Sequence, residues 1–193
     1  MEEKKLLRKK LRRLCREIPK EKRKFLSKQI INKVIASEVF QTAKSVMLYA
    51  SMEDEVQLYD LLDAAVNAQK TVSLPLVTGN GIMKPMRFFS KDDLEIGTYG
   101  ILEIRKECCR EVDVDSIDLV VVPGLAFSRK GERLGRGAGF YDRFLKNKVP
   151  HAYRLAVTFD DLLMESLPAE PHDVYMDSVF TETAIVTCQR VGK

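Results

Sequence analysis

The chain has 193 residues, of which 45% are hydrophobic and 31% charged, and its formal net charge is +4. That length suits one packed core, and that balance excludes a disordered or low-complexity polymer. No apolar run approaches the roughly 20 residues that cross a bilayer, and the charged N-terminus lacks the apolar middle of a secretion signal. A cytoplasmic protein with no membrane partner is therefore expected.

Basic character is concentrated at the start. Residues 1–33 hold 14 Lys or Arg and 4 Glu, which leaves the rest of the chain net acidic. Here Leu7, Leu11, Leu14 and Ile18 recur as one amphipathic helical stripe, interrupted at Pro19, and Phe25, Leu26, Ile30, Ile31 and Val34 continue the period in a second helix. Residues 1–36 are thus expected to form a helical arm on a single domain spanning 1–193. From charge alone, the arm is either a solvated face or a nucleic-acid contact.

Beyond the arm the pattern alternates. SVMLYAS is a short apolar run, LYDLLDAAVNAQ is helical, TVSLPLV is extended, and MKPMRFF and DLVVVPG add strands. A helix over FYDRFLKN and strands over RLAVTF and AIVTC follow, with a polar, irregular piece near 90–116. Strands alternating with helices predict a largely parallel sheet covered on both faces, a three-layer α/β sandwich of Rossmann-like type. Cys15, Cys108, Cys109 and Cys188 show no metal-ligand spacing and are expected to be reduced thiols.

The densest chemistry lies in GERLGRGAGFYDRFL, residues 131–145. Four of the ten glycines fall there, as Gly131, Gly135, Gly137 and Gly139, after a buried strand over Leu119–Val122 and before a helix starting near Gly139. Glycines let a ligand approach main-chain N–H groups, the helix N-terminus adds partial positive charge, and Arg133 and Arg136 add forked donors suited to phosphate oxygens. Neither the P-loop nor the dinucleotide spacing is present. The residues themselves leave two readings open, a phosphate loop or a tight surface turn. Asp142, one turn into the helix, could meet a metal carried on phosphates.

The segment VVPGLAFSRKGERLGRGAGFYDRFL closely resembles the signature of the 5-formyltetrahydrofolate cyclo-ligase family, also called 5,10-methenyltetrahydrofolate synthetases. EKKLLRKKLR, YASMEDEV, GTYGILEI and EPHDVYMDSVFTE resemble further family segments in the same order. Ser128, Ala138, Phe140 and Ile104 depart from the usual Asp, Lys or Gly, Tyr and Pro.

The resemblance implies a fold like the NagB/RpiA/CoA-transferase architecture and a monomeric enzyme that binds no nucleic acid. It implies a ligase reaction in which 5-formyltetrahydrofolate and ATP, with Mg²⁺, give 5,10-methenyltetrahydrofolate, ADP and phosphate. The formyl oxygen would be phosphorylated and then displaced by N10. It further implies that Lys4, Lys5, Leu6, Leu7 and Arg8, together with Arg133, Leu134, Gly135, Arg136, Gly137, Ala138, Gly139, Phe140 and Tyr141, bind ATP. Ala50, Glu55 and the run Arg136 to Phe140 would bind the folate. Asp142 and Asp177 would hold the metal, with Arg136 and Asp142 catalytic. His172 and Asp173 would support the loop carrying Asp177, while Arg12, Arg13 and Lys22 to Lys24 remain a solvated face. The rival readings are a nucleic-acid-binding module acting through the arm and an ATP-independent phosphosugar isomerase or acyl-transferase relative.

Overall fold

Two helices lead the chain, α1 (Glu2–Glu17) and α2 (Lys20–Ala36), in a computed structural model that describes residues 2–78, 81–97 and 102–188. Pro19 is the N-cap of α2, where a missing N–H costs nothing. The leucine stripe of α1 packs inward: Leu11 is fully buried, and Leu7 and Leu14 lie against the same core. Ile30, Ile31 and Val34 of α2 join it, but Phe25 departs from the expected buried face and is 63% exposed.

Among the described residues, seven strands form the central sheet: β1 (Ser45–Met47), β2 (Thr71–Thr78), β3 (Ile82–Arg87), β6 (Leu119–Val122), β9 (Tyr153–Val157), β11 (Ser178–Phe180) and β12 (Ile185–Thr187). Their order is β12-β11-β9-β6-β1-β2-β3. The five inner strands are parallel to one another, whereas β3 and β12 are antiparallel edges. Pro75 and Pro85 face each other across β2 and β3, past the last β1 partner at Ser73, so neither proline interrupts the parallel pairing of β2 with β1.

Strand alternation divides the core into two layers. Leu119 and Val121 of β6 point into one apolar cluster with α1, α2 and α4 (Tyr59–Asn67), while Val120 and Val122 point into another with Phe144 and Leu145 of α5 (Phe140–Asn147). Leu155 and Ala156 of β9 divide the same way. Each fully buried Val, Leu or Phe contributes about 1.5–3 kcal/mol, so a sheet buried on both faces is a rigid platform for its loops.

The smaller elements are α3 (Glu38–Thr42), the hairpin of β4 (Leu94–Ile96) and β5 (Leu102–Ile104), and a three-stranded sheet of β7 (Ala126–Ser128), β8 (Arg133–Leu134) and β10 (Leu163–Met164). The hairpin falls in the piece expected to be irregular, and Thr98 to Ile101 of its GTYGILEI segment lie outside the described residues. Ser128, at the family's usual Asp, accepts the N–H groups of Lys130 and Glu132 and so closes the β7–β8 turn with its hydroxyl. All four cysteines are free thiols.

Candidate active site

Strand order decides where the site falls. The chain moves outward from β1 to β2 and β3, then returns to place β6 on the other side of β1. The crevice outside the carboxyl ends of β1 and β6 is therefore the topological switch point, where open α/β sheets bind ligands. Two loops flank it: residues 48–58 after β1, carrying Glu55, and residues 123–139 after β6, carrying the glycines.

The glycine loop needs its glycines at three positions: Gly131, where φ is +89 and a Cβ would meet the Met176 carbonyl at 2.6 Å, and two nearer the mouth. Gly137 has φ +113 and Gly139, the N-cap of α5, has φ +68, both in the region that side chains rarely adopt. Gly137 and Ala138 are exposed at the mouth, and the described residues supply no acceptor for the main-chain N–H groups of 137–139. The loop's carbonyls point the other way, into protein: Gly135 O accepts the Arg8 guanidinium at 3.0 Å and Arg136 O accepts Arg12 at 2.9 Å. Helix α1 thereby fixes the loop with its amides free to meet an anion.

The two arginines of the loop have different surroundings. Arg133 is buried; it donates to Asp142 at 2.6 Å and to Pro123 O at 3.1 Å, and its Nε has no partner. Arg136 crosses the crevice to the other loop, donating to Glu55 at 3.1 Å and to Asp54 at 2.6 and 3.4 Å. Glu55 also accepts the Met52 N–H at 3.0 Å. Burial pushes the Glu55 carboxyl up, and the neighbouring arginine offsets this only in part. Tyr141 lies on the same side; burial drives its hydroxyl far above the usual phenol range, and its oxygen has no hydrogen-bond partner.

The structure thus brings Arg8, Arg133 to Tyr141 and Asp142 together, with Glu55 opposite and Ala50 half-buried in the same β1 loop. It separates others. Lys5 and Leu6 face solvent. Lys4 is buried in an ion pair with Asp173 at 2.5 Å and Glu170 at 3.0 Å. Burial opposes that charge, yet the two carboxylates hold the Lys4 ammonium above its ordinary range. Asp173 supports its loop as expected, by also accepting the Glu170 N–H.

Asp177 is 5% exposed and its carboxylate accepts the Arg154 N–H of β9 at 2.8 Å. Among the described residues, the one cluster of three metal-type ligands is Glu170, His172 and Asp173, and the Lys4 ammonium already occupies it. Asp142 heads α5 beside the glycine loop and keeps partial exposure, with its two oxygens accepting from Arg133 and from the Val174 N–H.

Two of the charges expected in solvent have partners in the protein, one of them still exposed and the other buried. Arg12 reaches the Arg136 carbonyl, as a residue four and eight positions beyond Arg8 and Lys4 on one helical face can. Arg23 is buried, because it caps the last carbonyls of α1 at Cys15 and Ile18. Arg13 does stay exposed, paired with Glu17. Asp54 went unassigned from sequence, since a carboxylate beside Glu55 gives no signal until Arg136 arrives from 82 positions away.

A parallel sheet whose switch point is lined by glycine amides and guanidinium groups defines an α/β enzyme built to hold anionic ligands. Comparison with known proteins makes that class particular. Residues 1–182 match the 5-formyltetrahydrofolate cyclo-ligase family, and the chain belongs to it. The 5-formyltetrahydrofolate cyclo-ligase of Mycolicibacterium smegmatis is 35% identical over 144 residues, covering 72% of this chain and 74% of that one. The mouse enzyme of the same name is 29% identical over 189 residues, covering 91% and 92%. The solution structure of Aquifex aeolicus 5,10-methenyltetrahydrofolate synthetase superposes with a TM-score of 0.85 at 32% identity, covering 98% of this chain and 94% of that one. The fold is the mixed α/β fold of these enzymes, and the chain is a ligase of folate one-carbon chemistry.

Proposed function

We propose that the protein uses ATP to cyclise 5-formyltetrahydrofolate to 5,10-methenyltetrahydrofolate, and that the switch-point crevice is where the two substrates meet. The formyl oxygen attacks the γ-phosphorus, the bond to the β,γ-bridging oxygen breaks, and ADP leaves. N10 then attacks the formyl carbon, phosphate departs with the oxygen, and the N10 proton passes to solvent. This chemistry needs no protein nucleophile. Positioning and charge stabilisation carry it, and a cradle of amides and arginines supplies both.

The residue roles follow from position. The amides of 137–139, with Arg8 and Arg133, hold the polyphosphate, and Arg136 stabilises charge on the transferred phosphoryl. Glu55 accepts paired donors from the amino-pyrimidinone edge of the pterin, with Ala50 forming the adjacent wall. Mg²⁺ would be held by Asp142, and by Asp177 if its bond to the Arg154 N–H opens; the ion would supply neutralisation of phosphate charge. Lys4 takes part in nucleotide binding only by leaving Asp173 and Glu170.

The observation that supports this reading best is the direct pairing of Arg136 with Glu55 across the crevice, because the residue assigned to the phosphoryl group and the one assigned to the folate are hydrogen-bonded to each other. The test is formation of the methenyl product, followed by its near-ultraviolet absorbance. It is expected only with ATP and Mg²⁺ together, and product formation without nucleotide would refute the mechanism.

A further inference from the structure

The pairing of Arg136 with the β1 loop sets its two roles against each other. Three of its guanidinium nitrogens point at carboxylates: Nε at Glu55, and the two terminal nitrogens at Asp54. Three of its five N–H groups are thereby engaged, so a phosphoryl group must compete with two carboxylates for its charge. Glu55, the carboxylate assigned to the pterin, is itself buried and held by the Met52 N–H, so it cannot follow Arg136 outward. Asp54 is half-buried, has the shortest contact to Arg136, and has no role in the site described above.

We propose that Asp54 is a positioning residue that restrains Arg136 until folate is bound, so that ATP is not hydrolysed without it. This rests on the cyclisation reading. Without folate, Arg136 has two carboxylate grips, and the triphosphate must compete with both. A pterin edge at Glu55 offers neutral donors in place of the arginine and removes one grip. A single grip then remains, at Asp54, and the charge developing on the γ-phosphoryl outweighs it. Hydrogen bonds to charged groups correspond to about ten- to a hundredfold in an equilibrium, which is enough to separate the two states. The side reaction so suppressed is hydrolysis: water oxygen bonds to the γ-phosphorus, the β,γ-bridging bond breaks, and ADP and phosphate leave with release of a proton.

The test reads phosphate release and methenyl formation in the same sample of full-length protein with ATP and Mg²⁺. Wild type is expected to release one phosphate per methenyl formed and little without folate. Asp54→Asn keeps the size of the side chain but loses its charge, and is expected to raise folate-free phosphate release by about tenfold, so that phosphate exceeds product. Asp54→Glu restores the charge and is expected to return the ratio towards one. Glu55→Gln removes the other grip and provides a second route to the same answer if Asp54→Asn does not fold: its folate-free release is expected to rise too. Folate-free release at the wild-type level in a folded variant that still cyclises overturns the restraint. A parallel fall of both rates in Asp54→Asn overturns it as well, by making Asp54 merely structural. Absence of methenyl product from wild type overturns the cyclisation reading and this inference with it, so the two failures are distinguishable.

Discussion

Arg133 and Asp142 illustrate how one side chain can serve both site and fold. The arginine side chain is 5% exposed, and among the described residues Asp142 is its one carboxylate partner, at 2.6 Å. Removing one member of a buried pair leaves an uncompensated charge and typically costs about 3–5 kcal/mol. Asp142→Ala is therefore expected to lower stability by about that amount, as well as activity. Urea unfolding followed by circular dichroism measures this; a midpoint equal to that of wild type would show that Arg133 finds another partner. Asp142→Asn, which keeps a hydrogen-bond acceptor, is expected to lose less stability while still losing turnover, so comparing the two separates the roles.

At the scale of elements, the glycine loop works because neighbours on both sides fix it. Helix α1 takes its carbonyls through Arg8 and Arg12, and α5 begins from Gly139 in a left-handed conformation. A methyl group at Gly139 would adopt strained φ and approach the Arg143 guanidinium to 2.9 Å. Left-handed backbone costs an ordinary residue about 1–2 kcal/mol, and each kcal/mol lowers Tm by about 2–4 °C in a chain of this size. Gly139→Ala is expected to lower Tm by about that product, with a larger relative loss in kcat/KM for ATP because the start of α5 shifts. A Tm loss with unchanged kcat/KM would mean that the loop amides do not touch the nucleotide. The Lys4 pair fastens α1 at its other end. Burial raises the Asp173 carboxyl, but Lys4 and the Glu170 N–H together hold it below the ordinary 3.8, so that attachment is fully present above about pH 4 and is lost only in stronger acid.

For the whole molecule, the two-layer core governs the thiols. Burial pushes Cys15 and Cys188 from 9.0 up to about 11. A raised folded-state value means that the native protein keeps a proton which the unfolded chain releases. This contribution is intact below pH 9 and is lost as pH rises through about 11. Thermal stability is accordingly expected to decline between pH 9 and 11, and Cys15 and Cys188 are expected to resist alkylation at pH 8 while the half-buried Cys108 and Cys109 react first. Mass spectrometry of the alkylated protein checks this, and early labelling of Cys15 would show that α1 opens away from the sheet.

Much was determined by the sequence alone. Helical stripes, apolar runs and the glycine-arginine segment specify α1, α2, β6, α5 and the cradle, because periodicity and the backbone freedom of glycine are local properties. The mixed edges of the sheet were not legible, since antiparallel pairing of β3 and β12 depends on which strands meet. Nor were the partners of the charges: Arg12, Arg23 and Asp54 differ in nothing local from solvated neighbours, and only folding brings Arg136 to Asp54 or Arg23 to the end of α1. Strand order, finally, was decided by tertiary structure. It sets β1 beside β6 and so makes two loops, more than eighty residues apart at their pairing, into one crevice. Contacts at that separation arise from packing the whole core, which no local pattern encodes.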